Sequence, residues 1–174
     1  RELAQHPKVK KVSWSGSTTP FGNSQWRYGN DDMGFLVQSD LIRIDENYQE
    51  VAGVKLIRGR WFTEADKNAK YSPVVISKKL VEESFKNRPV LDSVISLAGE
   101  HRVVGIAENF KYLGQFEDTP PITFFYAPVE DFSRLNLLIR LEDGVGTEFE
   151  EELHGVISQL AKVDDLTINK IEQR

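Results

Sequence analysis

Cysteine is absent from the 174 residues. That removes disulfides, thiolate zinc sites, iron–sulfur clusters and thiol nucleophiles at once. Three histidines, His6, His101 and His154, stand far apart with no ligand spacing to connect them, which favours surface or capping roles over a metal site. Apolar runs never approach the ~18 residues that span a bilayer. No secretory-signal pattern is read in these residues. Lysine and arginine number 22 against 27 aspartates and glutamates, a net charge of -5. Without a basic block, binding to nucleic acid or to an anionic membrane surface is disfavoured. Nucleophile-elbow, zincin, Walker and Ser-x-x-Lys patterns are missing as well. Enzymatic activity therefore ranks last among the functions considered. The only methionine is Met33 and the chain opens on Arg1, so the expectation is a domain cut from something longer.

What is there reads as one α+β domain or two small lobes on one chain. Val9 to Ser17 is a first strand, with Val12 and Trp14 on one face. Gln25 to Tyr28 and Gly34 to Ile44 flank a Gly-Asn-Asp-Asp turn. Asp45 caps a short helix ended by Gly53, whose inner face is Tyr48, Val51 and Ala52. Strands follow at Val54–Ile57 and Ser72–Ser77. Ser77 caps a helix over Lys78–Phe85, and Val94–Leu97 with Arg102–Ala107 form a hairpin. Gly114–Pro121 is a crossing linker, Ile122–Tyr126 a strand, and Leu135–Leu141 an alternating, half-buried strand. Thr147-Glu-Phe-Glu150 is a capping box opening a helix to about Leu160. Leu166–Ile171 closes the chain as a strand.

Chemistry-bearing clusters have bland explanations. Gly144-Val-Gly146 lacks the third glycine of a dinucleotide fingerprint, and a loop leading into a capping box explains it better than a phosphate cradle. Glu148 and Glu150 to Glu152 suit the positive end of a helix. Asp31-Asp32 and Asp164-Asp165 read as solvated turns. The segment Pro20 to Met33 is different. Phe21, Trp26, Tyr28 and Met33 stand among Gly, Asn, Ser and Asp. Large apolar groups on a polar loop either form a contact surface for a partner or substrate, or fold back as a lid over the chain's own core. Tyr112 and Phe116 in the linker favour core packing.

One stretch carries a more specific signal. Between Asp45 and Asp66 the chain has Asn47-Tyr48, Gly53, Gly59-Arg60, Phe62 and Asp66, and this resembles the signature of the MacB-type periplasmic core domain of MacB/FtsX-like ABC-transporter permeases. The run Pro73–Ser77, then Phe85, then Arg102–Phe110 is similar to the family's next segment. The opening His6-Pro7, Val9 and Val12-Ser13 and the strand Leu137–Arg140 extend the likeness over nearly the whole chain. Gln49 departs from it, standing where the family usually has Phe. So does Leu91-Asp92, after Pro89-Val90, where a Gly-Lys turn is common.

The resemblance implies a two-lobed α+β ectodomain. Residues 1–58 and 115–174 would form a βαβ porter-like subdomain, and residues 59–114 an inserted β-rich subdomain with one helix. It implies a non-catalytic periplasmic part of a bacterial inner-membrane permease, with one membrane helix before it and three after. That part would couple ATP-driven motion to a periplasmic substrate or partner protein, in efflux, lipoprotein release or mechanotransmission. No cofactor is implied here, since ATP would sit on an ABC ATPase subunit or domain, and the full-length protein would form a homodimer or heterodimer. The competing function is an extracytoplasmic sensor or adaptor binding a ligand between its lobes. Read physically, the signature is scaffold: Gly59 supplies a turn with positive φ, Arg60 and Asp66 pair across it, Phe62 enters the core and Trp61 stays partly exposed.

Overall fold

The computed structural model describes residues 2–16, 27–30, 35–96, 99–110, 119–128, 136–146, 148–161 and 168. Its strands are β1 (Val9–Ser15), β2 (Arg27–Asn30), β3 (Phe35–Gln38), β4 (Asp40–Ile44), β5 (Leu56–Gly59), β6 (Ser72–Ser77), β7 (Val94–Ser96), β8 (Glu100–Ala107), β9 (Ile122–Tyr126) and β10 (Asn136–Leu141). Its α-helices are α1 (Tyr48–Ala52), α2 (Lys78–Glu83) and α3 (Glu148–Ala161). The fold is α+β, as expected. It divides into two compact units, residues 1–12 with 139–174, and residues 13–138. Both β1 and β10 contribute residues to each unit. The lobe boundary expected at 58/59 falls inside β5, and that at 114/115 lies outside the described residues.

The larger unit is built on a mixed sheet in the order β10-β1-β4-β9-β6-β8-β5, with β7 beside β8. β4 runs parallel to β9, β6 antiparallel to β9, and β6 parallel to β8. Strand alternation divides its core in two. Val75 joins Ile42, Ile44, Ile122, Phe124 and Val104 on one face, roofed by Tyr48, Trp61 and Phe62. Val74 and Ile76 join Val103 on the other, with Leu80, Phe85, Val90 and Ile95.

Two sequence expectations are corrected here, after one finding on β1. There Val12 and Trp14 are both half-buried, while Ser13 and Ser15 are fully buried. Ser13 Oγ donates to the Asp45 carboxylate at 2.6 Å, so the buried face of β1 carries a polar pair. Trp61 is buried, not partly exposed, at 6%. Residues 60–63 are not a strand, so alternation does not force Trp61 and Phe62 apart. The two rings lie 5.0 Å apart and Trp61 lies 5.4 Å from Phe124. Finally, every residue of β10 is half-buried, and the expected alternation is not realised.

The helix readings fare better. Gly53 stops α1 in the left-handed region at φ 73°. Ser77 caps α2 through Leu80 N at 3.3 Å, although α2 ends at Glu83, two residues short of Phe85. In the smaller unit, Phe149 and Leu153 of α3 are buried with Leu3 and Val9. Glu152 pairs with Lys8 and, at 3.2 Å, with His6. Thr147 and, apart from Ile168, the strand expected over Leu166–Ile171 lie outside the described residues.

Candidate functional site

Of the expected contact residues, Tyr28 lies on the hairpin of β2 and β3. Its register pairs Arg27 with Gln38, Tyr28 with Val37, Gly29 with Leu36 and Asn30 with Phe35. It forms a two-stranded sheet of its own, separate from the eight-stranded one. Tyr28 is thus placed on a strand, opposite Val37. Phe21, Trp26 and Met33 lie outside the described residues, as do Tyr112 and Phe116. The single strand expected over Gly34–Ile44 is two strands broken at Ser39.

That break is a fixed joint. Ser39 is buried, and its hydroxyl shares a 2.8 Å bond with Thr123 Oγ1 and reaches the carbonyl of Asp40. Asp40 N donates to Pro121 O at 2.8 Å, locking the start of β4 to the start of β9. The buried polar groups at this break are therefore satisfied. Nothing in the sequence spacing signalled this joint, because Ser39 and Thr123 are 84 residues apart.

Two further constellations fix the signature segment. Asp45 accepts from Ser13 Oγ, from Trp14 N at 3.1 Å and from Asn47 N at 3.2 Å, tying β1 to the start of α1. Burial raises its pKa, and these bonds only partly offset the desolvation. Arg60 grips Asp66 with both terminal nitrogens, at 2.7 and 2.8 Å. Asp66 also accepts from Thr63 N at 2.8 Å and closes a capping box over Glu64–Asn68. The Arg60 hydrogen bonds hold the Asp66 carboxyl below its usual range against the effect of burial. The pairing read across this turn is present, with the Asp66 side chain 7% exposed and the Arg60 side chain 50% exposed.

The histidines do not converge. His6 meets Glu152, His101 stands edge-on to Phe125 at 4.9 Å, and His154 lies 3.5 Å from Ser158 Oγ. Among the described residues no three His, Cys, Asp or Glu are grouped to hold a metal ion. No described helix is long and apolar enough to cross a membrane.

The family model of the MacB-like periplasmic core domain matches residues 1–156, and the chain belongs to that family. It is 34% identical over 108 residues to the macrolide export ATP-binding/permease protein MacB 1/2 of Paracoccus denitrificans, a match covering 61% of this chain but 15% of that protein. Two solved structures share the fold. One is the periplasmic region of MacB from Actinobacillus actinomycetemcomitans, with a TM-score of 0.63 at 20% identity over 92% of this chain and 72% of that one. The other is the extracellular domain of the ABC-type transporter YknZ from Gram-positive bacteria, with a TM-score of 0.65 at 16% identity over 94% and 82%.

Proposed function

We propose that this chain is the extracytoplasmic part of a bacterial inner-membrane ABC-transporter permease, and that it acts without catalysis. It couples ATP-driven movement of membrane helices to a periplasmic substrate or partner protein. The ATP is bound by an ABC ATPase subunit or domain, and the assembled transporter is a dimer. No cofactor belongs to this domain. The family match over residues 1–156 carries the reading. The hairpin supports it mechanically: a separate two-stranded sheet rooted in a rigid joint transmits displacement of the large unit to whatever it touches. Phe21, Trp26, Tyr28 and Met33 are the proposed contact residues, of which Tyr28 stands on the hairpin.

The test is made in the intact transporter. Replacing Trp26 and Tyr28 together with Ala is expected to abolish export or partner capture while ATP hydrolysis and the melting temperature stay near those of the parent. A fall of several degrees in melting temperature would show that these rings are core, not contact. The surrounding reading frame supplies an independent check. One apolar span before residue 1 and three after residue 174 are expected, and a lone span on each side leading to a signalling domain would favour a sensor.

A further inference from the structure

Both ends of the chain belong to the smaller unit, residues 1–12 and 139–174. The chain passes into the larger unit at 12/13, within β1, and returns at 138/139, within β10. Inside the smaller unit, segments 144 and 146 residues apart meet at one point. Phe149, in the first turn of α3, is 1% exposed. The His6 ring lies 4.9 Å from it, centre to centre, and the Lys8 ammonium lies 4.8 Å from its ring centre. Glu152 stands three residues further on, and so on the same face of the helix. Its carboxylate takes both groups, Lys8 Nζ on one oxygen and His6 Nε2, at 3.2 Å, on the other.

The main chain completes this clasp. Lys8 N donates to His6 Nδ1 at 3.2 Å, which makes Nδ1 an acceptor and leaves the ring proton on Nε2, facing Glu152. Lys8 O accepts from Glu142 N at 3.0 Å, one residue past the end of β10. Lys8 thus fastens the incoming chain to β10 through its carbonyl and to α3 through its ammonium. The ion pair is exposed, with the Lys8 and Glu152 side chains at 43% and 44%, and exposed pairs add little to stability. Their effect is on register. A ring and an ammonium resting on Phe149 could slide along α3, whereas one carboxylate held by both groups sets a single position.

We propose that this clasp makes the incoming chain, the end of β10 and α3 one rigid body, with Lys8 and Glu152 as its positioning residues. A displacement arriving from either flanking segment then enters β1 and β10 together. These are hydrogen-bonded neighbours in the sheet and the two strands by which the chain crosses into the larger unit. A movement delivered to one of them alone would shear their ladder, and a movement delivered to both carries the pair along intact. The inference rests on the transport reading, in which membrane helices join the chain at both ends.

The test uses the intact transporter in lipid nanodiscs. Lys8→Glu and Glu152→Lys each set like charges face to face, and the two together restore an opposite pair. Hydrogen exchange is compared between the nucleotide-free state and the state trapped with ATP and vanadate. In the parent, trapping is expected to change exchange in β1, β10 and the β2–β3 hairpin. Each single change should abolish most of that response while ATP hydrolysis and melting temperature stay near those of the parent, and the double change should bring it back. Single variants that keep the parental response would overturn the proposal. So would a double variant that does not regain it, or single variants that lose melting temperature but not the nucleotide response. A parent with no nucleotide response anywhere in residues 1–174 would overturn the transport reading itself, and the clasp's role with it.

Discussion

At the scale of single residues, two carboxylates in one short segment are driven in opposite directions. Asp66 is held by Arg60, so its folded pKa is depressed. The stability it contributes is present above the unfolded value of about 3.9 and is lost as pH falls through the lower folded value. Asp45 is raised by burial. Its charged form costs stability at neutral pH, and that cost disappears as pH falls through the raised value towards the unfolded one. Urea midpoints measured from pH 7 to pH 3 separate the two. Asp66→Asn should be least stable relative to the parent at neutral pH and approach it at the acid end, and Asp45→Asn should lose the gain in stability that the parent shows on mild acidification. Arg60→Ala leaves the buried Asp66 carboxylate with its Thr63 hydrogen bonds but no cation, and should cost about 1–3 kcal/mol. A change below about 0.5 kcal/mol, ordinary for a surface substitution, would mean that water replaces the guanidinium.

Elements here are held by side chains that serve two neighbours at once. Ser77 Oγ accepts from Leu80 N at 3.3 Å and from Ile122 N at 2.9 Å, so one hydroxyl caps α2 and anchors β9. Ser77→Ala should therefore exceed the roughly 1 kcal/mol of an ordinary cap, reaching about 2–3 kcal/mol once the buried Ile122 N–H is orphaned. Calorimetric or urea unfolding reads this directly, and an effect no larger than a simple cap would refute the double role. Glycine gives a second contrast. Gly53 and Gly59 both have positive φ, 73° and 77°, but a Cβ at Gly59 would also collide with the Val104 carbonyl and the Leu91 side chain. Gly53→Ala should cost about 1–2 kcal/mol of left-handed strain, and Gly59→Ala distinctly more. The Gly59 turn, the Gly53 stop and the Ser77 cap were legible in the sequence because each is a local rule about a few adjacent residues. The second role of Ser77 was not, since Ile122 lies 45 residues away.

For the molecule as a whole, the smaller unit depends on a few contacts between the N-terminal segment and α3. Lys8 and His6 converge on Glu152, and His6 stacks on Phe149 at 4.9 Å. Glu152→Gln should raise hydrogen exchange at residues 3–8 and leave β6 protected, because β6 is buried between β8 and β9 in the larger unit. Equal acceleration in β6 would mean that the two units open together. Composition and pattern by themselves determined the α+β class, the absence of cysteine chemistry and most strands and helices, because hydrophobic periodicity and capping are written in neighbouring residues. The signature from Asp45 to Asp66 pointed to the family, and its Arg60–Asp66 pair was visible because both partners lie on one turn. Only tertiary structure decided that Ser13, not Val12 or Trp14, faces inward, that Trp61 is roofed by Phe62 and Phe124, and that Ser39 forms the root of the hairpin. It alone laid β5 and β7 end to end along β8. Each of these depends on groups far apart in the chain, whose meeting is set by sheet order and register, and local periodicity carries no information about either.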